Sequence, residues 1–298
     1  MISKNEIAIA FGTIQDSICK ALEELDGNAK FKEDIWKRPG GGGGKSRIIE
    51  EGSIFEKGGV NFSEVHGEAP DFVMQKNESS PNTFYATGVS IVMHPHSPMV
   101  PIIHMNIRYM ELNDNTRWFG GGIDLTPIYI VEEDVLFFHR HLKSVCDESG
   151  TTLYPKFKSW ADDYFFIRHR NETRGAGGIF YDRLEADDEE FSIDQLFAFT
   201  KAIGESFIPI YSELVNRNKS REYGEREKQW QLIRRGRYAE FNLVYDRGTR
   251  FGLETDGRTE SILMSLPPMA AWKYNFSPEA GSEESKTQQF LRKGIDWV

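Results

Sequence analysis

Apolar residues recur along this chain in two periods, and the change of period marks out its elements. Residues 5–26 carry Ile7, Phe11, Ile14, Ile18, Leu22 and Leu25 at helical spacing and stop near Gly27. The same spacing predicts helices over residues 132–147, with Val135, Phe138, His139 and Leu142 on the stripe, and over 154–170, with Phe157, Trp160, Ala161, Tyr164 and Phe165. A long helix is predicted over 192–218, opened by the capping-box pair Ser192 and Gln195. Period 2 instead predicts strands over 83–93 and 100–112, and 174–183 reads as a glycine-rich strand. Residues 47–62 read as strand and turn. Residues 237–245, 250–254 and 260–266 read as three further strands, joined by turns at Asp246-Arg247-Gly248 and Asp256-Gly257. Strands and helices mix without strict alternation and no linker cuts the chain. The expectation is one α+β domain over residues 1–298 with a mostly antiparallel sheet.

The alternation has its sharpest chemical consequence between His94 and Asp124. Side chains at i, i+2 and i+4 of a strand point the same way. His104, Asn106 and Arg108 therefore share one face, while Ile103, Met105, Ile107 and Tyr109 take the other. Ser90, Val92 and His94 share a face of the preceding strand. Gly120-Gly121-Gly122 then lets backbone come close to a ligand and delivers the carboxylate of Asp124. An imidazole, an amide and a guanidinium in a row suit an anionic ligand. The wet face of a half-buried strand would show similar residues, and it is the glycine run and its carboxylate that tip the balance.

Composition narrows the partners. A net charge of −10 argues against a general nucleic-acid binder, and no apolar run is long enough to span a bilayer. Two cysteines, Cys19 and Cys146, make neither a disulfide framework nor a zinc site. The N-terminal stretch has neither the basic start of a signal peptide nor the arginine-rich makeup of a transit peptide, so the expected location is cytoplasmic. Pro39, five glycines, Lys45 and Ser46 nearly spell a phosphate-binding loop. Pro39 stands where that motif needs glycine and a strand follows instead of a helix, so nucleotide binding is rejected. A glycine flap that closes over a ligand and a plain surface loop are both open readings of this run.

Five long segments together carry a resemblance: RPGGGGGKSRIIEEGSIFEKGGVNFSEVHG, HPHSPMVPIIHMNIRYMEL, WFGGGIDLTP, YFFIRHRNETRGAGGIFYD and YAEFNLVYDRGTRFGLETDGRTESILMSLPP. In this order, and over nearly the whole chain, they resemble the oxygen-dependent coproporphyrinogen III oxidases. The resemblance implies oxidative decarboxylation of two propionates of coproporphyrinogen III to vinyl groups. Dioxygen is the oxidant, protoporphyrinogen IX the product, and no organic cofactor is required. It also implies a broad, flat antiparallel sheet covered by helices on both faces, and a homodimer formed through residues 238–274.

Site residues follow where the motifs match. The acid/base histidine falls on His104, and a carboxylate that holds the pyrrole nitrogens falls on Asp124. Substrate contacts fall on Ser90, Asn106, Arg108 and the turn Asp256-Gly257-Arg258. Asp256 departs from the glycine of bacterial relatives. A carboxylate there would repel propionates, which leaves Gly257 and Arg258 as the stronger candidates. Arginine suits a propionate because its planar fork donates two charge-assisted bonds. The family also implies a divalent metal at positions matching His94, His104, His139 and His169. On the residues alone, His139 lies on an apolar helical stripe, where a buried, hydrogen-bonded imidazole is the commoner fate. A metal-dependent oxygenase and a non-catalytic tetrapyrrole carrier are the alternatives. The complete set of His104, Asn106, Arg108 and Asp124 favours an enzyme.

Overall fold

The computed structural model describes residues 1–68, 83–113, 116–150, 152–187, 190–254 and 257–298, with only the backbone of Phe251. Helix α1 (Lys4–Asp26) begins at a capping box in which Ser3 and Glu6 satisfy each other's backbone donors. It buries Ile7, Phe11, Ile14, Ile18 and Leu22, the stripe read from the sequence. Six strands follow in a meander: β1 (Lys32–Lys37), β2 (Gly42–Glu50), β3 (Phe55–Glu68), β4 (Thr83–Pro95), β5 (Ile102–Leu112) and β6 (Arg117–Thr126). Asp26 pins the β2–β3 hairpin to α1 by accepting from the backbone N–H of Ser53, Ile54 and Phe55 at 2.9–3.0 Å.

Helices α2 (Glu132–Ser149) and α3 (Leu153–Tyr164) lead to the short pair β7 (Phe166–Ile167) and β8 (Glu172–Thr173). Strand β9 (Gly177–Glu185) then joins the edge of β6, so among the described residues the sheet has seven strands, each antiparallel to its neighbours. Helix α4 (Ile193–Asn218) starts at the expected capping box of Ser192 and Gln195. The remaining elements are α5 (Glu225–Val244), α6 (Arg247–Glu254), α7 (Thr259–Leu263) and α8 (Glu283–Phe290). No described helix is long and apolar enough to cross a membrane.

The two faces of the sheet differ. Ile103, Met105, Ile107 and Tyr109 of β5 enter the main core with apolar residues of α1 to α4. On the opposite face Val92 and Ile102 pack against Trp230, Ile233 and Tyr238 of α5 and Met264 after α7. Helices therefore lie on both faces.

Three expectations are corrected. Residues 237–244, 250–254 and 260–263 are helical, in α5, α6 and α7, and 264–266 follow α7 as a turn, so the three expected strands do not form. The buried positions Trp230, Ile233, Arg234, Arg237, Tyr238 and Phe241 have helical spacing. That stripe begins upstream of residue 237 and includes two arginines, so an apolar pattern misses it. The helix expected over 154–170 stops at Tyr164, because Arg168, His169 and Arg170 are exposed and offer no apolar stripe to continue it. The glycine run is divided, with Gly40 and Gly41 in the turn between β1 and β2 and Gly42 to Gly44 in the β2 ladder. A Cβ at Gly43 would sit 2.2 Å from the Trp36 carbonyl oxygen, which explains the need for glycine there.

Candidate functional site

Strand register sorts the candidate residues into three parallel rows on the face opposite α1 to α4. One row runs Ser46, Asn61, Ser90, Asn106, Gly122. The next runs Gly59, Val92, His104, Asp124, Gly178, and a third runs Gly44, Ser63, Gly88, Arg108, Gly120. Adjacent strands are about 4.8 Å apart, so small residues in successive strands make a low floor on which a flat ligand can lie. The segment after α6 closes one side. Met264 packs onto Gly59, while Ser261 bonds the Ser46 hydroxyl at 2.7 Å and its carbonyl accepts from Asn61 at 2.8 Å. The aromatic cluster of Phe165, Phe180 and Phe241 closes the other.

Arg108 lies across the floor. Its Nη1 donates to Asn106 Oδ1 at 2.9 Å and its Nη2 to Asp182 Oδ1 at 2.8 Å, with about a third of the side chain still exposed. Glycine at 120 makes this possible, since a Cβ there would lie 2.7 Å from Arg108 Nε. The sequence reading did not find Asp182. It sits where β9 slips register against β6, and a bulge hides which face a residue takes.

His104 and Asp124 are cross-strand partners, and His104 Nδ1–H donates to Asp124 Oδ1 at 2.8 Å. His104 is partly exposed whereas Asp124 is buried. Both Asp124 oxygens also accept from Arg174 Nη2, at 2.6 and 2.7 Å. Burial alone would raise the Asp124 carboxyl, but the Arg174 charge and the His104 N–H overcome it and hold the group below its ordinary value. An ionised Asp124 requires the proton on His104 Nδ1 and leaves Nε2 available to a ligand. For a pyrrole N–H to reach Asp124 directly, one of these bonds must be given up.

The sequence reading also missed Arg174. The available signal was an arginine opening an apolar, glycine-rich strand. A buried guanidinium needs a carboxylate, and Asp124 was an interior carboxylate on offer.

Gly257 and Arg258 lie between α6 and α7, where Arg258 pairs with Asp34 of β1. That places Arg258 over the outer strands, apart from the Arg108 pair. Asp256 lies outside the described residues.

The four histidines do not form one ligand set. His94 is buried, donates from Nε2 to the Ser265 carbonyl at 2.9 Å and meets Tyr238 edge-on; burial pushes it down to about 3. His139 lies on the other side of the sheet, in α2. Its nitrogens are taken by the Tyr154 hydroxyl at 2.9 Å and the Ala176 carbonyl at 3.1 Å, and burial pushes it down to about 4. His169 is exposed, between Glu240 at 2.7 Å and the Tyr245 hydroxyl at 2.8 Å. Among the described residues no three His, Cys, Asp or Glu side chains are grouped so as to hold a metal ion. The residues do not fit the implied metal.

A family model described as coproporphyrinogen III oxidase matches residues 6–297. The chain is 47% identical to an oxygen-dependent coproporphyrinogen-III oxidase of Prochlorococcus marinus strain NATL2A, over 95% of this chain and 88% of the relative. The protein of the same name from strain MIT 9313 is 48% identical over the same shares.

Proposed function

We infer the reaction from a premise these matches establish: the chain belongs to the coproporphyrinogen III oxidase family. It is an oxidoreductase that converts two propionates of coproporphyrinogen III to vinyl groups, giving protoporphyrinogen IX in haem and porphyrin biosynthesis. Dioxygen is the co-substrate. Each propionate loses carbon dioxide, one β-hydrogen and two electrons, and the electrons pass to dioxygen.

We assign the following roles, and the observation that carries them is the shared face of His104, Asn106 and Arg108 on a floor of small residues. The macrocycle lies along the Ser90–Asn106–Gly122 row. Arg108 receives a propionate carboxylate through the N–H groups that Asn106 and Asp182 leave open. Arg258, with Gly257 beside it, meets a second carboxylate at the outer side. His104 moves a proton at Nε2 while Nδ1–H stays on Asp124, so Asp124 acts through the histidine. A neutral Nε2 takes a proton and the imidazolium returns it.

Three further assignments concern the chain as a whole. We propose that residues 1–298 act as one unit, because helices from both ends of the chain pack on a single sheet. A homodimer through residues 238–274 is supported by Leu243, Val244, Leu253, Met269, Trp272 and Tyr274, large apolar side chains exposed within that segment. A cytoplasmic location is supported by two buried, free cysteines, as a reducing compartment leaves them.

The direct test supplies freshly reduced coproporphyrinogen III in air to metal-stripped protein and reads protoporphyrin by chromatography. Turnover is the expected outcome. Binding without turnover, with or without added divalent ion, would leave a tetrapyrrole carrier in place of an enzyme.

A further inference from the structure

Arg174 reaches the floor from behind, through Asp124 and His104, and its surroundings are built around it. The side chain is 2% exposed, and its guanidinium lies 4.5, 4.6 and 4.7 Å from the ring centres of Phe165, Tyr238 and Phe241. Three of its bonds go to Asp124, from Nη2 to both oxygens and from Nε to Oδ2 at 3.2 Å. Its Nη1 donates to Asn242 Oδ1 at 2.8 Å, and Asn242 Nδ2 donates to the Ser265 hydroxyl at 3.3 Å, just past α7.

A buried ion pair is a poor way to gain stability, because both ions give up their hydration. Packing alone would be served as well by an apolar side chain among these rings. What the guanidinium supplies, and an apolar group cannot, is a fixed set of donors that holds one carboxylate in one orientation. The oxygen so held is the one that receives His104 Nδ1–H. Asn242 braces the guanidinium from α5 and ends at Ser265, whose carbonyl also takes the His94 Nε2–H. Hydrogen bonds therefore run without a break from the segment that closes the floor, through Arg174 and Asp124, to His104.

We propose that Arg174 is a positioning residue for the decarboxylation, which orients Asp124 and so fixes His104 with its proton on Nδ1, and that Asn242 ties this arrangement to the α7 segment. The proposal rests on His104 moving a proton at Nε2. During that transfer the Asp124 carboxylate keeps its charge and gains no proton, so the imidazolium forms beside an anion that is already held in place.

The test measures kcat, KM and the pH profile of kcat for Arg174→Lys and Asn242→Ala, each alone and combined with His104→Ala. Arg174→Lys is expected to lower kcat by roughly tenfold or more, within the range a misplaced acid/base group loses, with KM moved by less than about twofold. Its pH profile shifts, and Asn242→Ala does the same more weakly. In the His104→Ala background neither substitution costs anything further, because coupled residues are non-additive. An undiminished effect in that background overturns the proposal while leaving His104 in its role. Full activity of His104→Ala alone overturns the reading of His104 instead. If Arg174→Lys does not fold, the paired Arg174→Gln and Asp124→Asn change removes both buried charges together and avoids stranding one. That variant is expected to fold and to lose kcat as His104→Ala does, and wild-type turnover in it overturns the proposal.

Discussion

Ile107 and Arg108 are neighbours on one strand, and the two faces they serve obey different rules. Ile107 is fully buried under α1 to α4 in a core that is apolar almost throughout. Arg108 looks onto a floor of glycine and serine and bonds Asn106 and the partly exposed Asp182. The first face is held by burial of area, which is non-directional and tolerates substitution of similar volume. The second is held by ion pairs and hydrogen bonds with fixed geometry, each of which loses most of its value when one partner goes. The core face thus keeps the sheet in register, and the polar face uses that register to place chemistry.

Substituting the two neighbours separates these contributions. Ile107→Ala is expected to cost about 2–5 kcal/mol of stability through the cavity it leaves, read from thermal or denaturant unfolding. Turnover per folded molecule should stay near wild type, and a large loss of kcat at full occupancy of the fold would show that the faces are not independent. Arg108→Ala reverses the pattern. Loss of a hydrogen bond to a charged propionate costs about 1.5–3 kcal/mol, so KM for coproporphyrinogen III should rise by on the order of tenfold to a hundredfold. The melting temperature should hardly change, because a third of the side chain is already in water.

The smallest effect is expected in acid, again on the polar side. Glu240 accepts from Arg170, His169 and the Trp272 indole, joining α5 to the turn after β7. Burial would raise its carboxyl, but these donors pull it down to about 2 from an ordinary 4.5. A carboxyl depressed in the folded state stabilises fully above its unfolded value, and that stability fades as pH falls from about 4.5 toward about 2. Glu240→Gln should therefore flatten part of the stability loss in that window and change little at neutral pH. An identical acid profile for wild type and variant would place the acid-sensitive contact elsewhere.

The parts that could be read directly from the chain are those whose signal is local and apolar. The stripes of α1, α2 and α4 and the alternation of β4 and β5 report burial on one side, and the structure keeps each of them. Helix α5 was misread because its buried stripe includes Arg234 and Arg237, while Leu243 and Val244 are exposed. An arginine counts as buried only once its partner is known. Arg234 meets Glu172 at 2.7 Å, sixty-two positions away, and no periodicity contains that information. The same reason kept Arg174 and Asp182 out of view.

By itself, then, the sequence determined the shared face of His104, Asn106 and Arg108, because a strand's pleat orders side chains without reference to anything distant. Its long motifs also determined the family. Tertiary structure alone decided that Asp124 is buried behind His104, that Arg174 holds it, and that the four candidate metal histidines stand apart on both sides of the sheet. Those outcomes depend on which strands and helices become neighbours, and charges find their partners only after the chain has closed around them.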